Sequence, residues 1–200
     1  MKYLIKQAIM PFLNMIFCMT IGLAVFTIKE DLKWLEILLC IVNMAFFGIS
    51  MSVACYKDGQ KAYRVLVDND AMRRVVARTG EDLPINRAEE YKAWKGFAFG
   101  ALSCFPSVVL LIIHFILQIF VPDATTVFGM IAGVLSILVF GLFLIDGKLV
   151  STKTSYAGAF LTVPFVAIIT GIGYILGAKS VERHQKAIQR KHKEIHGEDL

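Results

Sequence analysis

The sequence predicts an all-α fold: a polytopic transmembrane helical bundle of five hydrophobic segments, with a cytoplasmic helical hairpin between segments two and three. Three observations predict it. First, the chain is 56% hydrophobic and only 18% charged, with a mean hydropathy of +0.64, whereas soluble domains carry about a quarter charged residues. Second, five uncharged runs occupy residues 8–28, 37–56, 96–121, 127–145 and 157–178. Each is long enough to cross about 30 Å of hydrocarbon at about 1.5 Å per residue. Third, residues 56–95 are polar yet keep an apolar step of three and four, which is helical periodicity.

The first run follows Lys2 and Lys6 and holds Pro11, where an early proline is tolerated, and Asn14 as its strongly polar member. Its exit, Val25-Phe26-Thr27-Ile28, is not a small-x-small cleavage site, so an uncleaved helix is expected. A short charged link leads to Trp34, placed as an interfacial anchor, and to the second run with Asn43.

In residues 57–80 the apolar positions Ala62, Val65, Leu66, Met72, Val75 and Val76 mark a narrow stripe on a helix that outlasts the membrane. Thr79-Gly80 reads as its stop, and Pro84 blocks continuation. Asn86 with Glu89 resembles a capping box, so a second helix is expected over residues 87–95, with Tyr91 and Trp94 marking re-entry. Asp68-Asn69-Asp70 opens like a calcium loop but lacks the glycine and closing glutamate.

The third run contains Pro106, a predicted kink, and His114 with Gln118 four residues on, both on one helix face. The fourth carries Gly129 and Gly133, and the fifth carries Pro164 and Gly173-Tyr174-Ile175-Leu176-Gly177, two GxxxG patterns that permit close helix packing. The tail is basic and helix-compatible to His196. The expected division is residues 1–55, a first transmembrane hairpin; 56–96, the cytoplasmic helical hairpin; 97–178, three further transmembrane segments; and 179–200, the basic tail.

Charge sets an orientation. With five crossings and a cytoplasmic amino-terminus, 13 basic residues lie inside and eight outside, which the positive-inside rule prefers to the reverse. This leaves the six basic residues of the tail outside. A re-entrant fifth run would bring 19 inside and leave two outside, but an unbroken uncharged run is more simply a spanning helix.

The runs Lys92-Ala93-Trp94-Lys95-Gly96-Phe97 and Gly173-Tyr174-Ile175-Leu176-Gly177, the latter before a basic tail, resemble small, uncharacterised multi-pass membrane proteins of Gram-positive bacteria. The resemblance implies a bacterial plasma membrane and supplies neither an activity nor a site.

Chemistry is thin. Cys18, Cys40, Cys55 and Cys104 fall in or beside apolar runs with no CxxC spacing, so no metal and no cofactor is expected. The net charge of +5 reads as topology, so no nucleic-acid partner is expected. No nucleophile–base set can be assembled, and catalytic residues are not expected. Asn14, Asn43, His114 and Gln118 are the candidates for a polar site between helices, since such groups in a membrane face the interior. The expected role is a non-enzymatic scaffold or accessory subunit that meets the bilayer and a protein partner through residues 56–96. The alternative is a small-solute transporter or substrate-binding membrane subunit with its polar site built on those four residues.

Overall fold

A computed structural model describes residues 2–25, 33–80, 83–120 and 152–196; the fourth hydrophobic run, with Gly129 and Gly133, lies outside the described residues. Their regular structure is helical, with no strand among the described residues: α1 (Lys2–Val25), α2 (Lys33–Thr79), α3 (Trp94–Ser103), α4 (Phe105–Phe120) and α5 (Thr152–His196). Among the described residues one helix, over Thr162–Ile195, is long and apolar enough to cross a membrane, and Tyr3–Cys18 is a shorter apolar helix.

Two helices exceed any simple span. α2 has 47 residues and α5 has 45, lengths of about 70 Å at the α-helical rise. Each begins apolar and ends charged, so each carries its amphipathic half well past its apolar half. Gly80 stops α2 with φ of 73°, its N–H donating to the Val76 carbonyl at 2.9 Å. A left-handed glycine satisfies an orphan carbonyl at little steric cost. α5 runs unbroken through Pro164, so it has no re-entrant break.

α1 already begins at Lys2, so Pro11 sits inside the helix rather than in its first turns. Lacking an N–H, it gives the Gln7 carbonyl no helical donor. The third run divides at Cys104, which keeps right-handed helical angles (φ −82°, ψ −9°) while its N–H is shared between the Gly100 and Ala101 carbonyls. The break precedes Pro106 by two residues, because the proline ring cannot accommodate the carbonyl four residues back.

The expected helix over residues 87–95 does not form before Trp94. Asn86 Oδ1 does accept from the Glu89 N–H at 3.3 Å, but it closes a turn over residues 87–89. Tertiary bonds claim the groups a helix would need. The Tyr91 N–H donates to the Ala62 carbonyl of α2 at 3.1 Å, and the Asn86 N–H donates to Asn69 Oδ1 at 3.2 Å.

Contacts define the directions of α1, α2, α3 and α5. Asn14 meets Ser50 and Asn43 meets the Cys18 carbonyl, so α1 and α2 are antiparallel. Gly173 abuts Ser52, Gly177 abuts the Tyr56 carbonyl, and Gln60 bonds Ser180, so α2 and α5 run parallel with rising numbers in step. Gly96 faces Tyr174 while Gly100 faces Val166 and Ala167, making α3 antiparallel to α5. The amino-terminus, the far half of α2, residues 83–93 and the carboxy-terminal half of α5 therefore gather at one pole.

Two apolar clusters fill the interior. Met15, Cys18, Phe47, Met51, Cys104 and Val166 form one, and Cys55, Ala62, Phe99 and Tyr174 form the other, nearer the pole.

Candidate functional site

The charged chemistry of the described residues concentrates at the pole. Residues 83–93 form a strap laid against the extension of α2. Asn69 and Asn86 exchange two hydrogen bonds, the Asn69 amide donating to the Asn86 carbonyl at 3.1 Å and its oxygen accepting in return. One turn further along α2, Arg73 donates to both oxygens of Glu90 at 3.1 and 2.9 Å and to Asp70 at 2.7 Å. One guanidinium nitrogen, Nη2, serves both Glu90 oxygens while Nη1 serves Asp70, so charge-assisted bonds tie the strap to the helix through a single side chain. The hydrogen bonds that Arg73 donates to Glu90 and then to Asp70 raise its pKa further. Arg73 thus stays a permanent cation between two anions.

Lys95 enters the interior as α3 begins and is only 5% exposed. Its ammonium donates to the carbonyls of Ala88 at 2.7 Å and Glu90 at 2.6 Å, and lies 5.4 Å from the centre of the Tyr3 ring. Carbonyl dipoles and a ring face replace the water lost on burial. Burial, helped by the nearby Lys92, lowers its pKa, against the pull of Glu90 and Glu89. Lys95→Met leaves both carbonyls without their donor and should cost about 1–3 kcal/mol. Thermal unfolding of the purified variant checks this; an unchanged midpoint means that water replaces the ammonium.

Aromatic rings cement the strap to α5. Tyr91 stacks on Tyr174 at 5.4 Å between centroids and meets Tyr63 edge-on at 5.9 Å, while Phe99 meets Tyr174 edge-on at 5.5 Å. Such pairs add about 0.5–1.5 kcal/mol each beyond buried area. Tyr91 is thus a packing residue rather than an interfacial marker, whereas Trp94 is 54% exposed. Burial first, and then the nearby Glu182, push the phenols of Tyr63 and Tyr91 up, so both remain neutral hydroxyls. The buried Tyr174 hydroxyl faces the Lys92 backbone without completing a hydrogen bond to any described group.

The four polar residues singled out in the sequence are not brought together as a set. Asn14 donates to Ser50 Oγ at 2.6 Å, and Ser50 in turn donates to the Phe47 carbonyl. Asn43 donates to the Cys18 carbonyl at 2.9 Å, and its Oδ1 has no partner among the described residues. Their α2 contact points are seven residues apart, about 10 Å along the helix. Each joins α1 to α2 separately. His114 and Gln118 lie in α4, but their side chains are outside the described part of the structure. No group of three metal-binding side chains converges among the described residues.

Residues without an obvious sequence signal turn out to position the pole. Gly59, in the middle of α2, lies against the Tyr174 carbonyl. Gly96 and Gly100 make a further GxxxG, the first against Tyr174 and Gly171, the second against Thr170 and the α5 backbone. Their spacing was a readable signal. Gly59 had none, since a lone glycine in a polar helix resembles any surface glycine. No protein family matches this chain, and no curated protein or solved structure is similar to it.

Proposed function

We propose that the chain is an integral membrane protein of the bacterial plasma membrane, acting as a non-enzymatic scaffold or accessory subunit that captures a protein partner at its polar pole. In this reading α1, α2, α3 with α4, and α5 each cross the bilayer, four crossings in place of the five expected from the sequence. The pole, with the amino-terminus and residues 56–96, is cytoplasmic.

Support for the bilayer comes from an exterior that stays apolar along the helices while polar groups are found inside. Outward positions over the apolar halves include Ile9, Leu13 and Phe17 on α1, Ile41 and Ile49 on α2, and Ile168, Ile172 and Leu176 on α5, all exposed. Buried positions include Asn43, Ser103, Thr162, Thr170 and Lys95. Water would not tolerate that much exposed apolar surface on a soluble monomer, whereas lipid favours it and leaves small and polar residues to hold helices together.

Support for the orientation comes from the parallel packing of α2 and α5. Strict alternation over five crossings would separate the tail from residues 56–96. Parallel packing keeps them together, so that 17 of the 21 basic residues belong to the amino-terminus, residues 56–96 and the tail. The positive-inside rule then places all three segments in the cytoplasm.

The observation that carries the scaffold reading is the convergence of the strap with the protruding ends of α2 and α5. Met72 and Val75 near the end of α2, and Ile188 and Ile195 seven apart on α5, are exposed apolar side chains on otherwise charged helices. A partner helix could be held through such anchors. Deleting the whole segment would be a poor test, since Ala62 and Glu90 are buried in the fold. Met72→Asp combined with Val75→Asp is the better one. It should leave membrane insertion unchanged and reduce recovery of the crosslinked partner from native membranes at least about tenfold, the equivalent of about 1.4 kcal/mol. An unchanged set of crosslinked partners would remove the pole from the account.

The transporter reading retains less. Asn14 and the amide end of Asn43 are engaged in the α1–α2 hairpin, leaving it Asn43 Oδ1 with His114 and Gln118.

A further inference from the structure

A second feature lies on the opposite face of the hairpin from α5. Gln7 and Met10 of α1 and Phe46, Ile49, Ser50, Val53, Ala54, Lys57 and Asp58 of α2 line an open groove of about 580 Å³, a volume within the range of small-molecule sites, about 300–1,000 Å³. Its two ends differ. Phe46, Ile49, Val53 and Met10 form an exposed apolar channel, while Gln7, Lys57 and Asp58 close it at the pole. Ser50 is already occupied by Asn14 and the Phe47 carbonyl. Among the described residues nothing polar is left to bind along the channel.

From Phe46 to Lys57 is eleven residues, about 16 Å of helix, which matches one leaflet of a hydrocarbon core of about 30 Å. A water-soluble ligand would meet polar groups at one end only. A lipid has the right distribution: an acyl chain along Phe46, Ile49 and Val53, and a headgroup at the pole.

The headgroup end carries one charge of each sign. Lys57 is exposed and free to meet a phosphate, while Asp58, next along the helix, is half-buried and makes no ion pair among the described residues. Burial raises the Asp58 carboxyl above its usual range, only partly offset by Lys61. An ammonium placed beside it would restore the favourable surroundings that burial removes. A lipid bearing only negative charge would instead meet the carboxylate with repulsion.

We infer that the α1–α2 groove is a binding site for a single zwitterionic phospholipid of the cytoplasmic leaflet, its phosphate at Lys57 and its headgroup ammonium at Asp58. The site rests on the membrane reading given above. It makes the hairpin a lipid-selective element and leaves the strap and the α5 face for protein contacts.

Native mass spectrometry of the full-length chain in nonionic detergent tests this, with phosphatidylethanolamine and phosphatidylglycerol of identical acyl chains added in turn. One phosphatidylethanolamine should be retained about tenfold better than phosphatidylglycerol, the scale of one charge-assisted hydrogen bond. Asp58→Asn should erase the preference by weakening phosphatidylethanolamine alone, and Val53→Trp should weaken both lipids by obstructing the channel. Equal retention of the two lipids by the unaltered chain, or full phosphatidylethanolamine retention by either variant, overturns the site. Alkaline carbonate extraction of the source membranes separates the two readings. A chain that stays in the pellet yet shows no preference refutes the lipid site alone, whereas release into the supernatant refutes the membrane reading together with it.

Discussion

A membrane-impermeant maleimide will label Asp68→Cys and Arg190→Cys from the same side of the bilayer, in a background from which Cys18, Cys40, Cys55 and Cys104 have been removed. Both positions are exposed, one on the protruding half of α2 and the other on that of α5. The expectation follows from packing direction alone. Gly173 rests on Ser52, Gly177 on Tyr56, and Gln60 donates to Ser180 at 3.0 Å, so the two helices advance together along three successive turns. Parallel neighbours that both cross must end on one side. In right-side-out vesicles both cysteines should be protected, and permeabilisation should expose both in full. Labelling of one without the other would show that α5 enters from the pole side, and the cytoplasmic placement of the tail would fall with it.

Gly177→Leu will break the α2–α5 pair. The added side chain would have to occupy the space of the Tyr56 carbonyl, and no flexible side chain stands there to move aside. Overpacking typically costs about 1–3 kcal/mol and more where neighbours cannot relax; backbone against backbone belongs to the costly end. A crosslink by a short bismaleimide between Gln60→Cys and Ser180→Cys provides the readout, because the Gln60 amide already reaches the Ser180 hydroxyl across the two helices. It should form readily with glycine at position 177 and fail to form with leucine. Gly48→Ala is the control: its Cβ would meet only Ile169 Cδ1 at 3.8 Å, an ordinary contact. It should keep the crosslink and gain about 0.5–1 kcal/mol from the alanine preference in a helix interior. Loss of the crosslink in both variants would mean that the pair is generally fragile rather than dependent on a backbone approach.

These two results and the lipid site depend on one arrangement of α2. Its glycine and small-residue face (Ser52, Gly59, Ala62) is given to α5 and the strap, while its bulky face (Phe46, Ile49, Val53) points outward. Small residues go where backbones must approach, since lipid offers no hydrophobic gain for burying large ones. The same division explains why the GxxxG of residues 173–177 serves packing within the chain: both glycines are already spent on α2.

The sequence by itself determined the helical character, the places where apolar surface yields to charge, and the stop at Gly80. Each is a local property. Hydropathy is a sum over neighbours, periodicity spans two turns, and only glycine adopts a φ of 73° without penalty. Tertiary structure alone decided the rest. A hydropathy profile reads the same for a helix pointing either way, so the parallel pairing of α2 with α5 had to come from contacts 121 residues apart, such as Ser52 with Gly173. The capping pair Asn86 and Glu89 was legible, yet residues 87–93 turned into a strap because Asn69, Arg73 and Ala62 supplied stronger partners than a new helix could. In sequence Lys95 is simply the last charge before an apolar run, and only the carbonyls of Ala88 and Glu90 allow it to be buried. Local chemistry specifies what each segment can form. The partners that satisfy its polar groups, distant in sequence, select which of those forms persists.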